Sequence, residues 1–206
     1  MSASGPFQDK PALRVESLTL SRGERILVRA LSFDAGAGEY VEVRGGNGSG
    51  KTTLLRALAG FVKPRAGKIA VEGAEEPTLA LHYVGHLNGL KGAATAYAHA
   101  QHWAGLFGAS AAQRDGALAR VGLTAQAQLP VRVLSQGQAR RLALARLVLA
   151  PRPIWLLDEP AAALDARGRE MLSVLIEAHR ADGGLVVAAV HDALGPKPSQ
   201  TLTVTA

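Results

Sequence analysis

The sequence predicts an α/β fold, in which a parallel sheet carries an anion-binding loop, an antiparallel hairpin precedes the sheet, and a helical sub-domain is inserted into it. A glycine-rich stretch at residues 45–53 lies between a strand pattern and a helical pattern. Strand and helix patterns alternate again after residue 150, which is typical of parallel sheets. Between residues 87 and 130 the pattern is helical. We expect a single domain over residues 13–206, after a flexible leader at residues 1–12.

Short apolar or alternating segments, separated by turn residues, predict the strands. They are residues 13–20, 26–33, 40–43, 68–71, 79–84, 154–157 and 185–190. Helical patterns follow the glycine-rich stretch to about Ala59, start again after Ser135, and cover about residues 167–181. We expect the helical sub-domain to span about residues 87–150.

The composition excludes several kinds of protein. Uninterrupted apolar runs stay below the roughly 20 residues that a membrane-spanning helix needs, and the first residues lack the apolar centre of a secretory signal. With no cysteine, disulfides and cysteine-based metal sites are excluded. The net charge of +6 comes from scattered arginines, so it indicates ordinary surface charge, and we expect no nucleic-acid partner.

The glycine-rich stretch has the pattern of a phosphate-binding loop: Gly, four residues, Gly, Lys, and Ser or Thr. Glycines let consecutive backbone N–H groups point inward, Lys51 can reach the β- and γ-phosphates, and the hydroxyl of Thr52 can bind Mg²⁺. The phosphates would then lie at a helix N-terminus. We predict a nucleotide-binding set of Gly45, Gly46, Asn47, Gly48, Ser49, Gly50, Lys51, Thr52 and Thr53.

An apolar strand pattern at residues 154–157 ends in two acids, Asp158 and Glu159. A carboxylate at the end of a buried strand beside a phosphate loop is suited to hold Mg²⁺, so Asp158 is the predicted ligand. Glu159 is placed to polarise an attacking water. His191 follows the next strand and could keep that water in line with Glu159. Lys51, Glu159 and His191 are therefore the predicted catalytic residues.

The segment Leu134-Ser135-Gln136-Gly137-Gln138 precedes a long helical pattern. Ser135 and Gln138 have the spacing of a capping box. Considered alone, the segment could be a helix start and nothing more.

The chain resembles the ATP-binding-cassette (ABC) ATPases over about residues 13–192. The resemblance lies in the order and spacing of the phosphate loop, residues 134–138, residues 156–160 with their two acids, residues 163–165 and His191. The resemblance implies a P-loop NTPase core of ABC-ATPase type with an N-terminal antiparallel β part and the helical insert. It also implies ATP and Mg²⁺ as cofactors. The functional unit would be a homodimer. Each ATP would lie between the phosphate loop of one subunit and residues 134–138 of the other, which we call the signature segment. The predicted contacts in that segment are Ser135, Gly137 and Gln138.

Within that family the chain is similar to the ATPases of cytochrome c maturation, the haem exporter group. The similarity lies in residues 83–91, in the residues after Gln138, and in the short chain beyond His191. It implies integral membrane subunits of a cytochrome c maturation complex (CcmB/CcmC-like) as partners, with haem handled by the complex rather than bound by this chain. The expected location is the cytoplasmic face of the bacterial inner membrane, as a peripheral subunit.

The sequence departs from the family pattern at two positions. Arg22 stands where an aromatic residue usually stacks on adenine; because a guanidinium can stack on a purine, Arg22 joins the predicted nucleotide set. His86 replaces the usual Gln and could bind Mg²⁺ or its water, or only relay motion.

We interpret His99 and His102 as residues of an amphipathic helix rather than haem ligands. His82 is interpreted as a packing residue and His179 as a surface residue.

Two alternatives remain at this stage. The chain could serve an ABC transporter for another solute, or it could be a soluble ABC ATPase that acts on nucleic acid or the ribosome. The second usually needs two cassettes or a long coiled-coil insertion, for which this chain has no room. A switch GTPase is disfavoured because an Asn-Lys-x-Asp base-reading motif is missing.

Overall fold

The predicted hairpin opens the fold. The computed structural model describes Phe7, residues 10–73, Glu76 and residues 79–205. Strand β1 (Ala12–Arg22) pairs antiparallel with β2 (Arg25–Ala35), and a further strand, Ala66–Glu72, pairs antiparallel with the other edge of β1. The predicted leader lies mostly outside the described residues. Within it, Phe7 packs edge-on against His179, with ring centroids 5.5 Å apart.

The second sheet is parallel, and the anion-binding loop lies at the carboxyl end of one of its strands. We number the strand Ala66–Glu72 of the first sheet β4. The strands of the second sheet are β3 (Tyr40–Arg44), β5 (Leu81–Val84), β6 (Ile154–Asp158), β7 (Leu185–Ala189) and β8 (Gln200–Thr203). They lie in the order β5-β6-β7-β3-β8. Every residue of β6 and β7 is buried, which explains their continuous apolar pattern. Strand β8 was not predicted, because an edge strand with alternately exposed polar residues has little apolar signal.

Helices pack on the parallel sheet and form the insert. They are α1 (Lys51–Leu58), α2 (Ala96–Phe107), α3 (Ala111–Arg120), α4 (Gln136–Leu149) and α5 (Ala166–Ala181). Residues of α2, α3 and α4 share one apolar cluster around Trp103 and Leu142. The predicted fold class is therefore confirmed, including the antiparallel part and the helical insert. Among the described residues, every helix is too short or too polar to span a bilayer.

A polar ladder on β3 stiffens the strand that leads into the loop. Alternate residues of a strand face the same side, so Tyr40, Glu42 and Arg44 lie in a row. The Tyr40 hydroxyl donates to Oε1 of the fully buried Glu42 at 2.8 Å, and Arg44 donates to Oε2 through Nε at 2.8 Å and Nη2 at 2.6 Å. Both oxygens of the buried carboxylate are thereby satisfied, which a buried charge requires.

Burial shifts the pKa of two histidines, His82 and His179. His82, on β5, lies 2.8 Å from the Ala150 carbonyl through Nε2 and packs on Phe107. His179, on α5, stacks on Trp155 with centroids 3.8 Å apart and is 6% exposed. The interpretation of His179 as a surface residue is therefore wrong, because its ring is buried against Trp155 of β6. Burial lowers the pKa of both imidazoles to about 4.

These two histidines should make the protein less stable in acid. Their folded pKa lies below the ordinary value of 6.5, so the unfolded chain binds more protons at intermediate pH. The contribution of these histidines to the free energy of unfolding is therefore fully present above about pH 6.5 and is lost as the pH falls towards 4. At pH 5 each histidine should cost about 2 kcal/mol of unfolding free energy, measured by urea unfolding at about pH 7.5 and 5.

The variant His82→Gln keeps a side-chain donor but cannot titrate, so it should lose part of that pH dependence. His102→Gln, at an exposed position on α2, is the matched control and should keep all of it. Equal pH dependence in the wild type and His82→Gln would contradict this account of His82.

Candidate nucleotide site

The loop between β3 and α1 has a backbone that only glycine allows at two positions. Gly45 has φ 154°, and a Cβ there would lie 2.3 Å from the Val204 carbonyl oxygen. Gly50, the N-cap of α1, has φ 109°, and its Cβ would lie 2.9 Å from Cβ of Leu27. Two of the glycines predicted from the phosphate-loop pattern, Gly45 and Gly50, are therefore also required by packing, against the residue after β8 and against β2 respectively.

The lysine of the loop is turned back over its own backbone. Lys51 is 6% exposed, and its ammonium donates to the carbonyls of Gly45 at 2.8 Å and Gly46 at 3.1 Å. The positive charge is thus held directly above the loop, at the N-terminus of α1. Backbone N–H groups, the helix dipole and this ammonium together make the loop a site for a polyanion.

The loop meets the end of β6 through one hydrogen bond. The Thr52 hydroxyl donates to Oδ1 of Asp158 at 3.2 Å. Asp158 is 1% exposed, and its Oδ2 is buried with no hydrogen-bond partner among the described residues. Burial raises the pKa of Asp158, while the Thr52 hydroxyl acts in the opposite direction. A buried carboxylate oxygen without a partner, beside a hydroxyl, is a donor set that fits Mg²⁺.

Two histidines hold the carboxylate of Glu159. Nε2 of His191 lies 3.0 Å from Oε1, and Nδ1 of His86 lies 3.3 Å from Oε2. Glu159 itself has φ 48°, a left-handed conformation that is uncommon outside glycine. His86 also lines a cavity of about 220 Å³ together with Thr52 and Asp158. The structure thus brings His86, Asp158, Glu159 and His191 together at the ends of three neighbouring strands.

The loop lines a larger cavity of about 650 Å³, big enough for a nucleotide. Besides residues 47–53, it is lined by Ser21, Arg22, Arg25, Leu27, Arg56, Val62 and Glu159. No aromatic side chain lines it within the described part of the chain. Arg22 is where it was predicted. Arg25 was missed, although its position across the hairpin turn, paired with Arg22, could have revealed it.

The signature segment lies apart from the loop in the same chain. Ser135, Gly137 and Gln138 do not line the cavity that contains Lys51. Ser135 is exposed and is the N-cap of α4: its Oγ accepts from Gln138 N at 3.1 Å, and Gln138 Oε1 accepts from Ser135 N at 2.8 Å. The capping box is therefore present. Because the serine oxygen accepts this bond, its own proton is free to be donated elsewhere.

Three features define this site as that of a phosphate-loop nucleoside triphosphatase. They are a glycine loop at a helix N-terminus, an acid at a strand end that is bonded to the loop threonine, and a second acid held by histidine. Residues 28–162 match the family model described as ABC transporter. The chain belongs to that family.

Several relatives are named cytochrome c biogenesis ATP-binding export protein CcmA. The chain is 46% identical to the one from Hyphomonas neptunium, over 90% of this chain and 92% of the relative. It is 48% identical to that of Bradyrhizobium diazoefficiens, over 84% and 88%. The protein from Rhizobium johnstonii is 41% identical, over 94% of each chain. The resemblance inferred from the sequence is confirmed, for the family and for this group.

Solved structures share the fold. A putative ABC transporter ATP-binding protein from Pyrococcus furiosus superposes with a TM-score of 0.82 at 21% identity, covering 94% of this chain and 97% of that one. A bacterial Atm1-family ABC exporter with ATP bound also gives a TM-score of 0.82, at 22% identity, covering 95% of this chain and 37% of that one. These likenesses support the architecture alone.

Arg22 and Arg25, which line the cavity without any aromatic residue among the described lining residues, predict weak selection between purines. Guanidinium groups stack on either base without reading its edge, so ATP and GTP should bind with affinities within roughly tenfold of each other. Arg22→Ala and Arg25→Ala should each weaken both nucleotides in parallel, by about threefold to tenfold. Arg29→Ala is the matched control, an exposed arginine of β2 outside the cavity lining.

The measurement is equilibrium titration of both nucleotides to each variant. An ATP affinity that exceeds the GTP affinity by about a hundredfold would show that a selective base contact exists and would contradict stacking on arginine.

Proposed function

We propose that this chain is the ATP-hydrolysing subunit of an ABC transporter complex in cytochrome c biogenesis, and that it powers haem export or the release of haem from its membrane partners. The ABC family membership supports ATP binding. The names of relatives 41–48% identical over most of the chain support the biological role.

The geometry around Glu159 carries the proposal of hydrolysis. Its carboxylate is fixed by His191 and His86 through different oxygens and lines the same cavity as Lys51. A general base must be fixed within reach of the water that it deprotonates. In our proposal Glu159 accepts the proton of the attacking water, and His191 orients the Glu159 carboxylate and contacts the γ-phosphate.

The loop residues bind and orient the triphosphate in this proposal. Backbone N–H groups of residues 45–53 donate to the phosphates, and Lys51 moves its ammonium from the loop carbonyls to the β- and γ-phosphate oxygens. Thr52 and Asp158 would hold Mg²⁺, which, when bound, neutralises charge that develops on the phosphates. That His86 contacts Mg²⁺ or its water remains a prediction; its contact to Glu159 supports a role in holding the base.

A homodimer completes the site. Ser135 is exposed, has a hydroxyl proton free to donate and caps a helix whose positive dipole end suits an anion. Because Ser135, Gly137 and Gln138 lie outside the loop cavity of their own chain, we propose that they bind the γ-phosphate held by a second copy. Closing on ATP and opening after hydrolysis would then move the membrane subunits.

The membrane partners are proposed from the relatives. CcmB/CcmC-like integral membrane subunits would bind this chain at the cytoplasmic face of the inner membrane, and the complex rather than this chain would handle haem. The relatives' description as ATP-binding export proteins supports such an assembly.

Glu159→Gln should trap the ATP-bound state. The amide keeps the size of the side chain and one acceptor oxygen but cannot accept a proton, so hydrolysis should fall at least about 100-fold while ATP still binds. The variant should then accumulate as an ATP-dependent dimer in size-exclusion chromatography. Glu177→Gln, on the exposed side of α5, is the matched control and should behave as wild type. Turnover of Glu159→Gln at the wild-type rate would rule out Glu159 as the base.

Affinity purification from detergent-solubilised membranes tests the biological role. We expect the tagged chain to bring down integral membrane subunits together with haem, and nucleotide exchange on the beads to change the haem content. Recovery of permease subunits without haem would indicate another solute, and recovery of ribosomes or nucleic acid would contradict a transporter role.

A further inference from the structure

A single arginine of α4 is bonded both to the backbone that carries Glu159 and to the loop that carries His86. Arg140 is 2% exposed and lies one helical turn after Gly137. Its Nε donates to the Pro160 carbonyl at 3.1 Å, and its Nη2 donates to the carbonyls of Asp158 and Glu159, both at 2.8 Å. Three consecutive carbonyls after β6 thus bind one guanidinium.

The remaining donors reach the loop that carries His86. Nη1 of Arg140 donates to the Gly85 carbonyl at 2.8 Å and to Oδ1 of Asn88 at 3.1 Å. These two acceptors lie on either side of His86, whose ring contacts Glu159. A guanidinium has five N–H groups, and each has an acceptor here. No lysine could replace it, because an ammonium has three donors and no planar fork.

The bonded backbone is one that needs external support. Glu159 and Ala163 both have positive φ, at 48° and 62°, and such conformations cost about 1–2 kcal/mol each in non-glycine residues. Gly137 packs on the same segment, since a Cβ there would lie 2.8 Å from the Ala163 carbonyl oxygen. The first turn of α4 therefore contacts the segment after β6 at two points, Gly137 and Arg140.

We propose that Arg140 is a positioning residue, which fixes the backbone on both sides of Glu159 and the loop of His86 and so aims the Glu159 carboxylate. It also bonds the backbone of Glu159 to α4, the helix that Ser135 caps. This inference rests on the proposed ATP hydrolysis. Arg140 touches neither phosphate nor water in this role; it acts through Glu159 and His86.

Arg140→Lys is the decisive variant and Arg141→Lys its matched control. Arg141 is the next residue of the same helix, but it donates to the carbonyls of Val121 and Gly122 in the insert, away from β6. We expect kcat of Arg140→Lys to fall roughly 10- to 100-fold, as for a small misplacement of a catalytic group, while KM and ATP affinity stay within about threefold. Arg141→Lys should keep kcat within about twofold.

Amide hydrogen exchange provides a readout that does not need hydrolysis. Arg140→Lys should exchange faster at residues 159–164 and 85–88 than the wild type, with unchanged protection in β7 and α5. If Arg140→Lys does not fold, Arg140→Gln serves for both measurements, since its amide can still reach part of the same carbonyls.

The possible outcomes separate the two proposals. A wild-type chain that does not hydrolyse ATP would refute the proposed function, whatever the exchange data show. If the wild type hydrolyses ATP, a kcat of Arg140→Lys close to wild type, or equal effects of Arg140→Lys and Arg141→Lys, would overturn the positioning role. So would a parallel loss of kcat and ATP affinity, or faster exchange spread over the whole chain.

Discussion

The hydrogen bond between Thr52 and Asp158 is the contact on which the site depends, because it joins the loop after β3 to the end of β6. Asp158 ends a strand with no exposed residue, so its carboxylate has lost most of its hydration, and burial raises its pKa. One threonine hydroxyl cannot offset that loss, and Oδ2 has no partner among the described residues. A fold usually avoids such an acid. In our proposal a bound Mg²⁺ would satisfy the second oxygen.

The parallel sheet brings these groups to one edge. Strands β3, β6 and β7 lie side by side in the order β6-β7-β3, so the residues that follow them emerge at the same end. The loop follows β3, Asp158 and Glu159 end β6, and His191 follows β7. His86 arrives from β5, the other neighbour of β6. Glu159 is therefore held by residues from both neighbouring strands.

The N-terminal part of α4 has two residues with different tasks in the proposed dimer. Its N-terminal cap, Ser135, is exposed and does not line its own nucleotide cavity, and in our proposal it contacts a second copy. Five residues later, Arg140 is bonded to the backbone around Glu159 of the same chain. In the proposed dimer α4 would contact the partner's phosphate at Ser135 and the backbone of its own Glu159 at Arg140, so that the closing of one site would align the acid of the other.

The sequence alone determined the features that depend on neighbours along the chain. The loop of residues 45–53, the acids after β6 and the capping box of Ser135 were all recognisable, since their spacing is set by local backbone geometry. Tertiary structure alone decided the rest: the pairing of β8 beside β3, the burial of His179 against Trp155, and the place of Arg25 in the cavity. It also decided that Arg140, one arginine among many, has its acceptors on residues far away in sequence. Such contacts depend on which strands become neighbours. Every residue has a backbone carbonyl, so the sequence does not reveal which carbonyls accept a hydrogen bond.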